Sequence, residues 1–309
     1  MGVKVLLTGS SGYLGRLLIS HFKNMEEIEC ITGVDNSPMP QDQASSKVKI
    51  IIMDVRSHEL EDVVAGHDVV IHTAFMVQWS HKMPVEVRDD INFNGTRNLA
   101  KAVIKQNIKK FIHASSVAAY DPILAQGQND IDEEFPIGTG DSKLYYSNSK
   151  AIAEKILKDI LLFSGIMLTM LRPSYIIGPN NKTTIQRFRE NAVTLLGHDP
   201  RAQFVHEDDV AAAFMRAIRT DMPGMYNIVP KGCIRLSELH SILGVKSAPT
   251  LPVWITRFIT YIGWRFFNSP THHSWIGEML LDRTFSNRKL ISTGWSPQYD
   301  NIEAIQSVH

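Results

Sequence analysis

Short apolar runs alternate along the chain with longer stretches whose apolar residues return every three or four positions. Val3–Leu7, Ile31–Asp35, Val48–Met53, Asp68–Ala74, Lys110–Ser116 and Leu168–Pro173 have the length and β-branched content of buried strands. Arg16–Phe22, Glu59–Ala65, Val85–Gln106 and Tyr145–Phe163 carry the helical period between them. This alternation predicts an α/β protein built on a doubly wound parallel sheet. Beyond Gly178-Pro179 the pattern loosens into a helix at Ala211–Ile218, a strand at Met225–Val229 and a helical tail from Leu236 with Pro-marked breaks. The division expected is a sheet domain over 1–177, rejoined by 204–229, and a smaller, mostly helical substrate-binding part over 178–309. The aperiodic stretch Asp121–Ser142 reads as a surface loop and a candidate flap.

The first strand runs into Thr8-Gly9-Ser10-Ser11-Gly12-Tyr13-Leu14-Gly15 and then a helix. Glycines suit such a turn because the backbone must take positive φ and approach a phosphate closely. N–H groups at the helix start, with the positive end of its dipole, favour a pyrophosphate. The second strand ends at Asp35, placed to accept hydrogen bonds from ribose hydroxyls. No Arg or Lys follows at Asn36-Ser37, so NAD is favoured over NADP. Tyr146 and Lys150 lie four apart on a predicted helix and share a face. A nearby ammonium is expected to lower the phenol pKa towards working pH, as a general acid–base requires. Ser116, closing an earlier strand beside Ser115, could hold a substrate oxygen beside that phenol. His72 has no second ligand at metal spacing and reads as structural, and no metal is expected.

Composition narrows the class. The 309 residues are 44% hydrophobic and 21% charged, with 32 basic residues against 32 acidic, so neither nucleic acid nor an anionic membrane is indicated as a partner. Cys30 and Cys233 lack metal spacing and are expected as reduced, buried thiols. A strand beginning at Val3 leaves no room for a secretory leader, and a cytoplasmic location is expected.

The order of these features resembles an extended short-chain dehydrogenase/reductase of the NAD-dependent epimerase/dehydratase family, with its Rossmann-type sheet. The matching residues are Thr8–Gly15, Asp35, Asp54-Val55, Ile91-Asn92 with Gly95-Thr96, and Ser115-Ser116 before Tyr120. Tyr146-Ser147-Asn148-Ser149-Lys150, Leu171-Arg172-Pro173 with Gly178-Pro179, and Phe204–Val210 continue the series. The resemblance implies that Gly9, Gly12, Tyr13, Leu14 and Gly15 surround the NAD pyrophosphate, Asp35 binds the ribose, and Asp54 and Val55 flank adenine. It implies that Thr73, Ala74 and Phe75 line the middle of the cofactor, with Phe75 replacing a small residue. Ser115 joins the cofactor site, Lys150 also binds the nicotinamide ribose, and Pro173, Ser174 and Tyr175 meet the nicotinamide end. Asn92 would support the cofactor or a proton path, and the catalytic set would be Ser116, Tyr146 and Lys150.

Two departures narrow the reaction. Val117 and Ala118 follow Ser116 where nucleotide-sugar dehydratases of this group carry an acidic pair. Ala202-Gln203 stands where nucleotide-sugar enzymes usually have Arg-Asp, leaving Arg187, Arg189 and Arg201 as cations for a diphosphate. The reading is an NAD-dependent oxidoreductase interconverting alcohol and ketone on a small or apolar substrate, with a nucleotide-sugar epimerase as the alternative. A non-catalytic NAD-sensing regulator is the third possibility. The aromatics from Pro252 to Phe267 read as an amphipathic helix over the cofactor, as a core of the smaller part, or as a dimer contact. His272-His273 reads as a surface pair whose rings point apart. Apolar stripes on Val85–Gln106 and Ser149–Phe163, with the resemblance, imply a homodimer through a four-helix contact.

Overall fold

The apolar runs pair into one seven-stranded sheet, and every ladder in it is parallel. This computed structural model describes residues 2–39, 45–78, 80–140, 142–181, 186, 188–190, 192–269 and 271–308. The strands are β1 (Val3–Thr8), β2 (Ile28–Asp35), β3 (Val48–Ile52), β4 (Val69–His72), β5 (Lys110–Ala114) and β6 (Met167–Pro173). The seventh, β11 (Gly224–Ile228), comes later in the chain and lies beside β6. Strand order is β11-β6-β5-β4-β1-β2-β3, so the chain reverses direction across the sheet between β1 and β4. In such a sheet the crevice for a ligand opens at the carboxyl ends of these two strands.

Helices cover both faces. On one, α1 (Tyr13–Phe22) and α6 (Glu207–Arg219) bury Leu18, Ile19, Phe22, Val210 and Phe214 against Val5, Leu7 and Ile31. On the other, α2 (Leu60–Val64), α4 (Gly95–Lys105) and α5 (Tyr145–Leu161) bury Leu60, Leu99, Val103 and Leu157 against Leu6, Val70 and Phe111. The period read over Val85–Gln106 is one helical run in three parts: α3 (Val85–Asp89), a π-helical turn (Asp90–Asn94) and α4. The sheet is the α/β arrangement expected.

A smaller cluster joins Ile177, Phe204, Ile234, Leu239 and Ile305. It draws on β7 (Tyr175–Ile177), β10 (Phe204–His206), β12 (Ile234–Arg235), α7 (Leu236–Ile242) and α11 (Asn301–Gln306). β8 (Thr194–Leu195) pairs with β13 (Thr250–Leu251), and β9 (Arg201–Ala202) with β12.

Four expectations need correction. The stretch Asp121–Ser142 is pinned rather than free: Ile131 exchanges backbone hydrogen bonds with Thr284 and Ser286 at 2.9 Å, and buried Glu133 accepts from the Asn227 amide. Cys233 is exposed in the turn after β11, and Cys30 is half-buried. The helix α8 (Val253–Phe266) is neither core nor close cover, because Thr256 is its sole buried residue while Trp254, Phe258 and Phe266 are exposed. Its inward ring, Trp264, instead meets His272 at 4.7 Å. His272 and His273 are half-buried with rings 4.0 Å apart, because they lie in an irregular turn where regular alternation does not hold. Among the described residues no helix is long and apolar enough to cross a membrane.

Candidate active site

The glycine turn is built for close approach. Gly9 sits at φ +75°, and a Cβ there would lie 2.5 Å from the Ala74 amide nitrogen. A Cβ on Gly15 would collide with the Gly9 carbonyl oxygen and lie 2.8 Å from the Ser10 Cα. Thr73 and Ala74 leave the β4 ladder to cross this turn, and Thr73 donates both its amide and its hydroxyl to the Thr8 carbonyl. That crossing ends β4 at His72, two residues before the strand expected from sequence.

Asp35, at the end of β2, accepts from the Ser11 amide at 2.9 Å and the Ser37 amide at 3.0 Å, which fixes its carboxylate beside the turn. The Tyr13 phenol donates to Glu207 Oε2 at 2.6 Å, so its side chain faces α6 and only its backbone remains for a phosphate. Leu14 packs against the core under α1. Asp54 is bound by Arg56, which also reaches Asp90, and this pairing holds its carboxyl below the usual range. Val55 is buried against Gly95, where an added Cβ would come within 2.6 Å of it. The side chains named for adenine are therefore committed to Arg56 and the α4 packing.

Two further residues named for the cofactor make contacts that the sequence does not announce. Ser115 turns its hydroxyl into the interior, donating to Glu154 Oε1 at 2.6 Å, where Arg172 binds the same carboxylate through two nitrogens. Its hydroxyl is thus turned from the cofactor edge, because a fully buried carboxylate needs every donor in reach. Asn92 accepts from the Met76 amide at 2.7 Å and donates to the Met76 carbonyl and the Tyr145 hydroxyl. It fixes the chain leaving β4, just past Phe75, and is a positioning residue.

His72 is held at both ring nitrogens, by Thr8 Oγ1 at 2.7 Å and Thr96 Oγ1 at 3.0 Å. Thr96 gives its own proton to the Asn92 carbonyl, so Nε2 of His72 donates and Nδ1 accepts. Burial holds this imidazole neutral, its pKa pulled down to about 3.

The acid–base pair differs from expectation in its electrostatics. Ser116 caps a short 3₁₀ turn (Val117–Ala119), accepting from the Ala118 amide, and its hydroxyl acts on the Tyr146 phenol, holding it lower than burial alone would. Tyr146 is half-buried beneath Trp275, with ring centroids 5.1 Å apart, and burial pushes its phenol up to about 12. Lys150 lies with Nζ 6.0 Å from the Tyr146 ring centroid, donates to the Ala114 carbonyl at 2.9 Å, and sits 3.9 Å from the Phe75 ring centroid. Burial pulls the Lys150 ammonium down to about 7. The phenol is thus raised rather than lowered, because desolvation outweighs the stabilisation that Ser116 gives the phenolate.

At the end of β6, Ser116 approaches the Pro173 carbonyl, while the Ser174 hydroxyl is buried with no hydrogen-bond partner. Tyr175 stacks on Phe204 at 5.5 Å. An orphan hydroxyl after β6, together with Asp35 and a turn with no room for a Cβ at Gly9 and Gly15, fits a long polar cofactor laid across the strand ends.

Trp275 and Glu278 were missing from the sequence reading of the site. They belong to α9 (Trp275–Glu278), where Glu278 accepts the Ser147 amide at 3.0 Å and the Ser147 hydroxyl at 2.8 Å. No local pattern announces a partner 131 residues away. Of the cations considered for a diphosphate, Arg201 is paired with Asp282 at 2.7 Å, Arg189 is exposed, and Arg187 lies outside the described residues. A cavity of about 400 Å³ lined by Gln203, Lys231, Cys233 and Arg288 contains none of the residues named for catalysis or NAD.

Comparison with known proteins identifies the family and the fold. The chain is 29% identical over 203 residues to 3-beta-hydroxysteroid dehydrogenase of Mycolicibacterium neoaurum, covering 63% of this chain and 53% of that protein. It is 28% identical over 199 residues to sterol-4-alpha-carboxylate 3-dehydrogenase, decarboxylating, of Candida albicans, covering 61% and 55%. The alignments thus span little more than half the length of these relatives. The crystal structure of UDP-glucose 4-epimerase from Thermus thermophilus, complexed with NAD, shares the fold, with a TM-score of 0.73, 21% identity, and 99% and 97% of the two chains covered. The NAD-dependent epimerase/dehydratase family model matches residues 5–229, from the first strand through β11. The chain belongs to the NAD-dependent epimerase/dehydratase family, and its cofactor is NAD.

Proposed function

We propose that the chain is an NAD-dependent oxidoreductase of the extended short-chain dehydrogenase/reductase type, interconverting an alcohol and a ketone on a small or apolar substrate. The observation that carries this reading is Tyr146 beneath the Trp275 ring, with Lys150 beside it and Ser116 acting on its phenol. Gly9, Gly12, Gly15 and the backbone of Tyr13 and Leu14 would hold the NAD pyrophosphate, and Asp35 the ribose. Thr73, Ala74 and Phe75 would line its course, with Ser174 and Lys150 at the nicotinamide end. NAD supplies the hydride acceptor or donor. Tyr146 exchanges the hydroxyl proton at its phenol oxygen, Ser116 orients the substrate oxygen, and Trp275 excludes water from that proton.

A phenol near 12 stays protonated at neutral pH and is ready to donate to a ketone oxygen. Alcohol oxidation needs that proton removed, so its rate is expected to rise with pH across the neutral and alkaline range. Tyr146→Phe is expected to retain NAD binding and lose roughly 10²–10⁴ in kcat. A substrate panel followed by nicotinamide absorbance, with NAD and NADP compared, tests this. Full turnover by Tyr146→Phe would overturn the mechanism. A nucleotide-sugar epimerase would instead keep NAD through purification and show no net reduction.

The proposal extends to a cytoplasmic enzyme working as a homodimer through α4 and α5. Ile104 at the end of α4, and Leu162 and Phe163 just past α5, are exposed apolar residues that support this pairing.

A further inference from the structure

The segment 282–286 runs beside 127–131, with Thr284 donating its amide to the Gln128 carbonyl and Phe285 bridged to Ile131. Asp282 binds Arg201 and Thr284 accepts from the Asp130 amide. Arg283 shares a side with Phe285 in the strand-like alternation. Its guanidinium carbon lies 5.5 Å from the Phe285 ring centroid, and Phe285 stacks on Tyr120.

Arg283 is 7% exposed, and its Nη1 is buried with no hydrogen-bond partner. Among the described residues no carboxylate lies within 4.0 Å of it. Buried Arg172, by contrast, makes a two-nitrogen contact with Glu154. Burial is costly for a guanidinium that stays charged and reaches its acids only at a distance. The charged and phenolic groups in electrostatic reach are Glu278, Tyr175, Asp121 and Tyr120. Glu278 already serves the start of α5, and both Glu278 and Tyr175 also act electrostatically on Tyr146. Arg283 follows α9, whose Trp275 ring covers Tyr146, and its neighbour Phe285 stacks on Tyr120, four residues after Ser116, which puts Arg283 on the substrate side of the phenol.

We propose that Arg283 binds a carboxylate carried by the substrate, so that the enzyme acts on hydroxy and keto acids with an apolar body. The proposal rests on the reading of Tyr146 as the proton-exchanging residue, which fixes the side on which substrate sits. One guanidinium in a fork geometry matches one monoanionic carboxylate. Phosphate or diphosphate would bring further negative charge towards Glu278 and Asp121.

The test uses the NAD-loaded protein titrated with cyclohexanecarboxylate, with cyclohexanecarboxamide, and with inorganic phosphate, read by calorimetry and thermal unfolding. The carboxylate is expected to bind the native protein and Tyr146→Phe alike, and Arg283→Gln roughly tenfold or more weakly. Arg283→Lys should fall between, keeping charge without the fork. Without probe, Arg283→Gln should melt no lower than the native protein, because it removes a buried charge. Equal carboxylate binding by Arg283→Gln, equal binding of the amide, preference for phosphate, or a lower melting temperature for Arg283→Gln would each overturn the proposal. Turnover by Tyr146→Phe would sink the redox reading alone and leave the carboxylate comparison intact.

Discussion

Burial sets opposite directions for the two groups at the centre of the site. Tyr146 is harder to deprotonate than a free phenol, and Lys150 is easier. In the unfolded chain Lys150 keeps its proton to about 10.4, whereas in the folded protein it loses it near 7. Between those values the unfolded state binds more protons, so stability must rise with pH across that window. The stability of the native protein relative to Lys150→Met is therefore expected to increase from pH 7 to about pH 10, measured by denaturant midpoints. A flat difference would show that the amine is solvated. At this scale the sequence is informative about residue type and spacing, as in Gly9, Asp35 and the Tyr146/Lys150 pair. It is silent on what else a side chain is doing. Ser115 looks like Ser116 until Glu154, 39 residues away, takes its hydroxyl. Tyr13 likewise turns to a glutamate 194 residues distant.

Elements were more legible than their ends. Local apolar periodicity reports the buried face of a strand or helix, which is why β1 through β6 lie where the pattern puts them. What stops an element is often a distant partner. β4 ends because Thr73 and Ala74 must cross the glycine turn, and α5 begins where Glu278 accepts two Ser147 donors. That carboxylate sits at the positive end of the helix carrying Tyr146 and Lys150. Glu278→Gln should cost about 1–2 kcal/mol in denaturant unfolding. Because the helix start positions Tyr146, it should lower kcat more than it changes KM. An unchanged kcat would confine Glu278 to a stabilising part.

For the whole molecule, the parallel sheet follows from its buried apolar strands and intervening helices. The smaller part was less readable because its short strands pair in twos and its cluster draws on residues from Ile177 to Ile305. The stripes that suggested a dimer are largely spent inside: Leu99, Ala100, Val103, Ile156 and Leu157 are buried in the subunit. Arg97, Lys101 and Lys155 are among the exposed residues of the same helices. The homodimer proposal consequently rests on a narrow apolar margin. Light scattering at micromolar concentration is expected to give a two-chain mass, and a one-chain mass would remove it.

The π-helical turn at Asp90–Asn94 sets the rotational phase of the long helical run. An α-helix advances about 100° per residue, and a π turn places one more residue in the circuit. Everything after Asn94 is therefore turned by roughly one residue against a wheel drawn from Val85. That slip lets α3 bring Arg88 onto the Tyr145 ring at 3.1 Å, while α4 still lays Leu99 and Val103 on the sheet. A one-residue deletion within the turn would restore a continuous wheel and carry one of these two faces away from its partner.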